Sequence, residues 1–232
     1  KAIELIFRSP SKAIKVEFQG GEPLLNFELI KKVVLECEIK ATNDSRDLEF
    51  VIATTLSLLT NDVLDFCEQH NILLSTSLDG PEELHNKNRP RPGRDSYERY
   101  VSGLAKARDK LGRDRVSALM TTTQASLSQV KPIIDEYLAL GFDSIFLRPL
   151  SPYGFAMKTK QYDAYRVNEW LDFYREGLDY IIDLNLSGVF FREIYTTIIL
   201  QKMLTFDDPG YVDLMNPAGI GIAAVVYNYD GS

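Results

Sequence analysis

From residue 13 onward the chain alternates between short apolar runs of two-residue period and longer runs of helical period. That alternation restricts the fold more than any other feature. In Ile14-Lys15-Val16-Glu17-Phe18-Gln19, the apolar Ile14, Val16 and Phe18 fall on one face and Lys15, Glu17 and Gln19 on the other. Strand patterns follow at Leu48–Ala53, Ile72–Ser77, Arg115–Thr123 and Ser144–Leu150. Helical patterns at Leu24–Thr42, Asn61–His70, Tyr97–Leu111 and Ser126–Leu140 separate them. A strand–helix unit repeated with short connections predicts an α/β fold, a parallel sheet or barrel with its helices outside. The 232 residues suit one such domain, since single α/β barrels commonly run to about 200–250 residues.

Local chemistry sets further expectations. Leu25, Leu29, Val33 and Val34 mark the apolar stripe of the first long helix, and Asn61 is placed to cap the next. Ser96 is placed to cap Tyr97–Leu111, and Gly141 to close the preceding helix in the left-handed conformation. Glu82–Asp95, with Lys87, Arg89, Arg91 and Arg94, reads as a solvated polar loop. Two further helical patterns cover Val167–Asn185 and Arg192–Thr205. Beyond Asn216-Pro217 the chain turns Gly-rich and apolar and ends in the hairpin signal Asp230-Gly231, with no second strand after it. With a helix end at Lys1–Phe7, this suggests a piece of a longer protein: a core domain over 1–215 and the start of a C-terminal hairpin over 216–232.

Composition excludes some classes. A formal net charge of −7 argues against a nucleic-acid partner, whose phosphates would call for clustered Lys and Arg. No apolar run approaches the ~20 residues that cross a bilayer, so no membrane partner is expected. Cys37 and Cys67 are far apart, form no CxxC and each lie in a helical pattern. They read as buried free thiols of a reducing compartment, so a cytoplasmic location is expected. No HExxH, P-loop or GxGxxG is present. Neither His70 nor His85 stands in a triad-like pattern, and His70 reads as a capping or packing residue.

In parallel α/β folds function gathers at the carboxyl ends of the strands. There the chain carries Gln19-Gly20-Gly21-Glu22-Pro23. The glycines let bare backbone approach a ligand, Pro23 suits the first turn of the next helix, and Glu22 stands where a carboxylate can meet a ligand ammonium. The third strand puts Ser75, Ser77 and Asp79 on one parity. The fourth ends in Thr121-Thr122-Thr123, and the fifth carries Phe146, Arg148 and Leu150 on one parity. A barrel filled by side chains would show branched aliphatics on its inner parity; polar residues there point to a wet, ligand-holding lumen. Each element has a plainer reading: a βα turn with an incidental acid, the Asp79-Gly80-Pro81 turn, strand-forming threonines, and Arg148 pairing a structural carboxylate such as Glu17.

Taken together, Gln19–Pro23 after one strand and Ser77-Leu78-Asp79-Gly80-Pro81 after a later one resemble the radical S-adenosylmethionine (SAM) family. Within it they resemble peptide-modifying maturases with a C-terminal SPASM or twitch extension, such as anaerobic sulfatase maturases. The wider wording of Glu17–Phe27, Asn88–Gly93, Phe146–Gly154 and Pro217–Ile222 is similar to the His-Xaa-Ser system radical SAM maturase. The resemblance implies a partial (β/α)6 TIM-like barrel of the radical SAM type, its first strand missing from this sequence, holding SAM and one [4Fe-4S] cluster. It implies that the backbone of Gly20, Gly21 and Glu22 receives the SAM amino group, with Gln19 beside it. Ser77 would hold the methionine carboxylate or ribose, Asp79 would lie in the same motif, Arg89 would contact the carboxylate, and Leu150 would lie by the adenine. A zwitterion needs acceptors at its ammonium and donors at its carboxylate, and these residues supply both.

Two departures go with the resemblance. The CxxxCxxC cysteines that ligate the family's cluster do not occur in this sequence and are expected upstream of Lys1. No metal ligand is therefore assigned here, and the piece alone is expected to be inactive. Cysteines for a possible auxiliary iron–sulfur cluster are likewise expected in a C-terminal part. The family's Thr-Asn-Gly at the next strand end reads Thr54-Thr55-Leu56, so its asparagine contact is not carried over.

The function implied is reductive cleavage of SAM to a deoxyadenosyl radical that modifies a ribosomally made peptide or protein, with an electron donor as a second partner. No catalytic residue is assigned; Tyr153 and Tyr195 are candidate radical-quenching groups whose plainer reading is packed aromatics. Two rivals stand beside it. One is a non-catalytic or degenerate barrel that binds a peptide or small metabolite. The other is an ordinary barrel enzyme with Asp79 or Glu22 as general base.

Overall fold

The computed structural model describes residues 1–150, 166–207, 210–211 and 224–228; Tyr153 and most of 216–232 lie outside the described residues. A short helix α1 (Ala2–Ile6) precedes β1 (Ala13–Phe18), α2 (Phe27–Asp44), β2 (Asp47–Thr54), α3 (Asn61–Gln69) and β3 (Leu73–Ser77). Then come α4 (Glu82–Asn88), α5 (Ser96–Leu111), β4 (Val116–Leu119), α6 (Val130–Ala139) and β5 (Ser144–Ile145). The order closes with α7 (Val167–Leu186), β6 (Arg192–Glu193) and α8 (Ile194–Leu204).

Strands β1 to β4 form one parallel sheet in chain order, and β5 pairs in parallel with β6. The Thr122 hydroxyl donates to the Arg148 carbonyl at 2.6 Å, tying the segment after β4 to the one after β5. The result is a partial TIM-like barrel, as the strand–helix alternation predicts.

The two faces of the sheet part as their parities require. Ile14, Phe50, Ile52 and Leu74 are buried against Val34 and Cys37 of α2, Val63 and Cys67 of α3, and Leu104 and Ala107 of α5. Burying such side chains contributes about 1.5–3 kcal/mol each, which is why this face sets the register. The opposite face is mixed, with buried Val51 and half-buried Leu73 among polar residues. Lys15 Nζ lies 3.2 Å from Glu49 Oε1, its register partner, and Ser75 stands beside Ser117.

Several boundaries move for local reasons. The Pro23–Asn26 turn is 3₁₀ and α2 begins at Phe27. With three rather than 3.6 residues per turn, it puts Leu25 and Leu29 in solvent and gives the buried stripe to Ile30, Val34, Cys37 and Ala41. Thr60, not Asn61, caps α3, accepting from the Val63 N–H. A 3₁₀ turn at Gln124–Ser126 delays α6 to Val130, and the strand pairing of β4 and β5 stops at Leu119 and Ile145.

Glu82–Asp95 is not loop throughout. Its first half is α4, because Leu84 and His85 are buried. Ser96 does not cap α5; its hydroxyl donates to Asn86 Oδ1 at 2.6 Å, and the same oxygen accepts the Tyr97 N–H at 2.9 Å. Asn86 thus caps α5 from the preceding helix. Gly141 does sit in the left-handed region, at φ +72°.

Helix α7 meets α6 through Gly177, where an added Cβ would lie 2.6 Å from Val130 Cγ2 and 2.8 Å from Leu147 Cδ1. Gly177→Ala is expected to destabilise by about 1–3 kcal/mol through overpacking. A urea-unfolding midpoint equal to that of the parent would show that the two helices can part at no cost.

Candidate cofactor site at the strand ends

Beyond β1 the chain turns through Gly20 at φ +90° and Gly21 at φ +50°, a region that side-chain-bearing residues avoid. Among the described residues, chain neighbours aside, no atom lies within 4 Å of a Cβ built on either. Their backbone is therefore bare and open. Gln19, also exposed, donates from Nε2 to Glu17 Oε1 at 2.5 Å.

Glu22 is anchored by the end of β2. Its Oε1 accepts from Thr54 Oγ1 (2.7 Å) and the Leu24 N–H (3.3 Å), and its Oε2 from the Thr55 N–H (2.9 Å) and Thr55 Oγ1 (2.6 Å). Four donors leave this carboxylate one orientation. The Thr54-Thr55-Leu56 departure thereby acquires a role, since both threonine hydroxyls hold Glu22. Leu56 takes the left-handed conformation at φ +61°, which costs a non-glycine residue about 1–2 kcal/mol. Burial offsets the strain: Leu56 is enclosed, and Gly103 of α5 makes room for it, since a Cβ there would meet Leu56 Cβ at 2.7 Å. The signal for this pairing in the sequence is a glycine inside an otherwise regular helical pattern.

At the end of β3, Ser77 is half-buried and its hydroxyl makes no hydrogen bond among the described residues. Asp79 is fully buried. Its Oδ1 accepts from the Thr121 N–H (2.9 Å) and Arg89 Nη2 (3.0 Å), and Arg89 Nε lies 2.8 Å from Oδ2 but off the axis of its N–H. Asp79 therefore faces Arg89 and the segment after β4. Arg89 uses its Nε–Nη2 edge on Asp79, with Nη2 also 3.5 Å from Thr121 Oγ1, and leaves Nη1 without a hydrogen bond among the described residues. Leu150 is half-buried at the end of the segment that follows β5. Gly20–Glu22 thus follow β1 and Ser77 ends β3, with β2 between them in the sheet, and Arg89 is tied to the end of β3 through Asp79.

His85 lies in the stretch whose sequence predicts a solvated loop, yet it is buried with its ring centroid 5.9 Å from that of Tyr97 and 5.6 Å from that of Tyr100. Its Nδ1 accepts the Asp79 N–H at 3.4 Å. Burial pushes its pKa down to about 4, against the opposing pull of Asp79. His70 packs as expected, on Phe66 at 4.2 Å and against Glu38 at 2.9 Å.

SAM fits the residues present, with open backbone at one end and a free guanidinium edge at the other. An iron–sulfur cluster does not find ligands here. Among the described residues no three His, Cys, Asp or Glu side chains gather as a metal site. Cys37 and Cys67 are buried, and burial pushes their thiols up to about 11 and about 12. No described helix is long and apolar enough to cross a membrane.

Residues 3–147 match the radical SAM superfamily, which is more than half of the 232 residues. The chain belongs to the radical SAM superfamily. Members use SAM with a [4Fe-4S] cluster. The cysteine-type anaerobic sulfatase-maturating enzyme of Clostridium perfringens is 26% identical over 199 residues, covering 80% of this chain and 51% of that protein. The radical SAM cyclopropyl synthase TigE of Paramaledivibacter caminithermalis is 27% identical over 104 residues, 45% of this chain and 21% of that protein. The chain thus spans about half or less of the length of these relatives. The solved structure described as native anSMEcpe with bound AdoMet and Cp18Cys peptide superposes with a TM-score of 0.71 at 19% identity, over 88% of this chain and 56% of that one. At that identity the likeness shows the shared radical SAM barrel.

The neutral, buried His85 gives the fold an acid-sensitive term. Its folded pKa of about 4 lies below the unfolded value of about 6.5, so the unfolded chain binds the extra proton first. Stability is therefore expected to be full above about pH 6.5 and to fall by about 3 kcal/mol as the pH drops through 4. Urea titrations across this range should show a flatter profile for His85→Gln; parallel profiles would remove His85 as the cause.

Proposed function

We propose that the intact protein is a radical SAM enzyme that modifies a peptide or protein substrate. The observation that carries this is the pairing of an open Gly20–Gly21 backbone and a four-fold-anchored Glu22 with the free edge of Arg89. Carbonyls and a carboxylate receive the ammonium end of a zwitterion, and a guanidinium edge receives its carboxylate. Ser77 adds a free hydroxyl for the carboxylate or ribose, Leu150 an apolar surface for the adenine, and Gln19 a further polar group beside the amino end. Asp79 acts through Arg89, holding its guanidinium in place. Once bound and reduced, the cofactor supplies a deoxyadenosyl radical; this chain's part is to bind and orient it in a polar, recessed lumen.

A peptide substrate is favoured by the relatives, sulfatase-maturating enzymes among them, and by the peptide-bound solved structure. The wording shared with His-Xaa-Ser maturases narrows this to a ribosomally made peptide, with an electron donor as a second partner and a cytoplasmic location. Residues 1–215 would be the barrel core and 216–232 the start of a C-terminal extension.

The test uses the full-length protein with its cluster assembled without oxygen, reduced in the presence of SAM. Deoxyadenosine is the expected product; none, despite a verified cluster, would favour a non-catalytic barrel that binds a peptide or metabolite. Glu22→Ala is expected to weaken SAM binding about tenfold or more, as for loss of a charge-assisted contact. An unchanged dissociation constant would remove Glu22 from the site.

A further inference from the structure

Asn88, the last residue of α4, has no part in the site as described so far, yet it carries a hydrogen-bonding group with nothing to bond. Its Oδ1 accepts from Thr123 Oγ1 at 3.0 Å. Thr123 Oγ1 also lies 3.3 Å from Ser126 Oγ, whose hydroxyl can donate to it, and with Oδ1 on Thr123 the amide turns Nδ2 away from that residue. The Asn88 Nδ2 is then cut off from solvent without a hydrogen-bond partner among the described residues. A buried donor left so pays its desolvation without return, and such groups are rare enough to require an account.

The neighbourhood supplies one. Asn88 and Arg89 are consecutive, and they engage Thr123 and Thr121, two residues apart on one segment. Arg89 is clamped along its Nε–Nη2 edge by Asp79 and leaves Nη1 free. Two adjacent side chains thus each keep one N–H donor group unengaged at the end of β4. A carboxylate has two oxygens and accepts from two such donors at once.

We infer that Asn88 is a ligand-binding residue, its Nδ2 joining Arg89 Nη1 to hold the carboxylate of SAM. This rests on the assignment of Arg89 to that carboxylate in the proposed function. The pair divides the work by charge: Arg89 supplies attraction, and Asn88 a neutral donor that fixes the angle.

The experiment compares SAM with decarboxylated SAM, which lacks the carboxylate, by equilibrium dialysis on the full-length protein with its cluster assembled. Asn88→Ala should weaken SAM about tenfold, near 1.4 kcal/mol, and leave the decarboxylated compound within about twofold, a shift of under 0.5 kcal/mol. Asn88→Asp keeps the shape and the acceptor for Thr123, so it should fold, and its negative charge should weaken SAM further while sparing the decarboxylated compound. Equal losses for both compounds, or unchanged SAM affinity in both variants, would overturn the inference and leave the function reading standing. Parent protein that binds neither compound would sink the function reading, and this inference with it.

Discussion

A carboxylate with no solvent exposure, Asp79, joins three parts of the barrel mouth. It follows β3, takes the Thr121 N–H from the segment after β4, and grips the guanidinium of Arg89 just past α4. An unpaired charge at such depth would be prohibitive, so the ion pair and the backbone donor are conditions of the fold. The arrangement also explains why α4 is a helix at all. For Arg89 to reach Asp79, the residues before it must turn inward, and they bury Leu84 and His85 as they do so. His85 then lies under Asp79, accepting its N–H as a neutral ring.

The same economy recurs on the other side of the mouth. Glu22 is oriented by β2 rather than by its own loop, through the hydroxyls of Thr54 and Thr55. Leu56 accepts a left-handed backbone to let those hydroxyls face Glu22, and Gly103 of α5 gives up its side chain to house Leu56. Glu22 and Arg89 are thus both oriented by neighbouring elements, and in the proposed site they would meet a ligand as preorganised groups rather than flexible ones. Such preorganisation suits a small zwitterionic cofactor that must be held in one pose.

Much of this was legible in the chain. The polar parity of β1 and β3 faces the lumen because the opposite parity is apolar and packs on helices, so an error of one residue would bury Lys15 and Glu17. Gly20 and Gly21 announced an open turn, and both take positive φ. What local pattern could not show were partners distant in sequence. Leu25 and Leu29 looked like core because a helical period was extended through a 3₁₀ turn. Asn86 as the cap of α5, and Asn88 with its unpaired amide, are visible only once α4, α5 and the end of β4 are placed side by side.

The sequence by itself determined the alternation of strand and helix, the inner and outer faces of the sheet, and the two motifs at its strand ends. All of these follow from side-chain periodicity and backbone freedom over a few residues. The tertiary structure alone decided which partner each of these residues would meet: Asp79 with Arg89, Glu22 with Thr54 and Thr55, Leu56 with Gly103. Those choices depend on desolvation and close packing between segments about 10 to 50 residues apart, and no local pattern encodes the distance between two such segments in space.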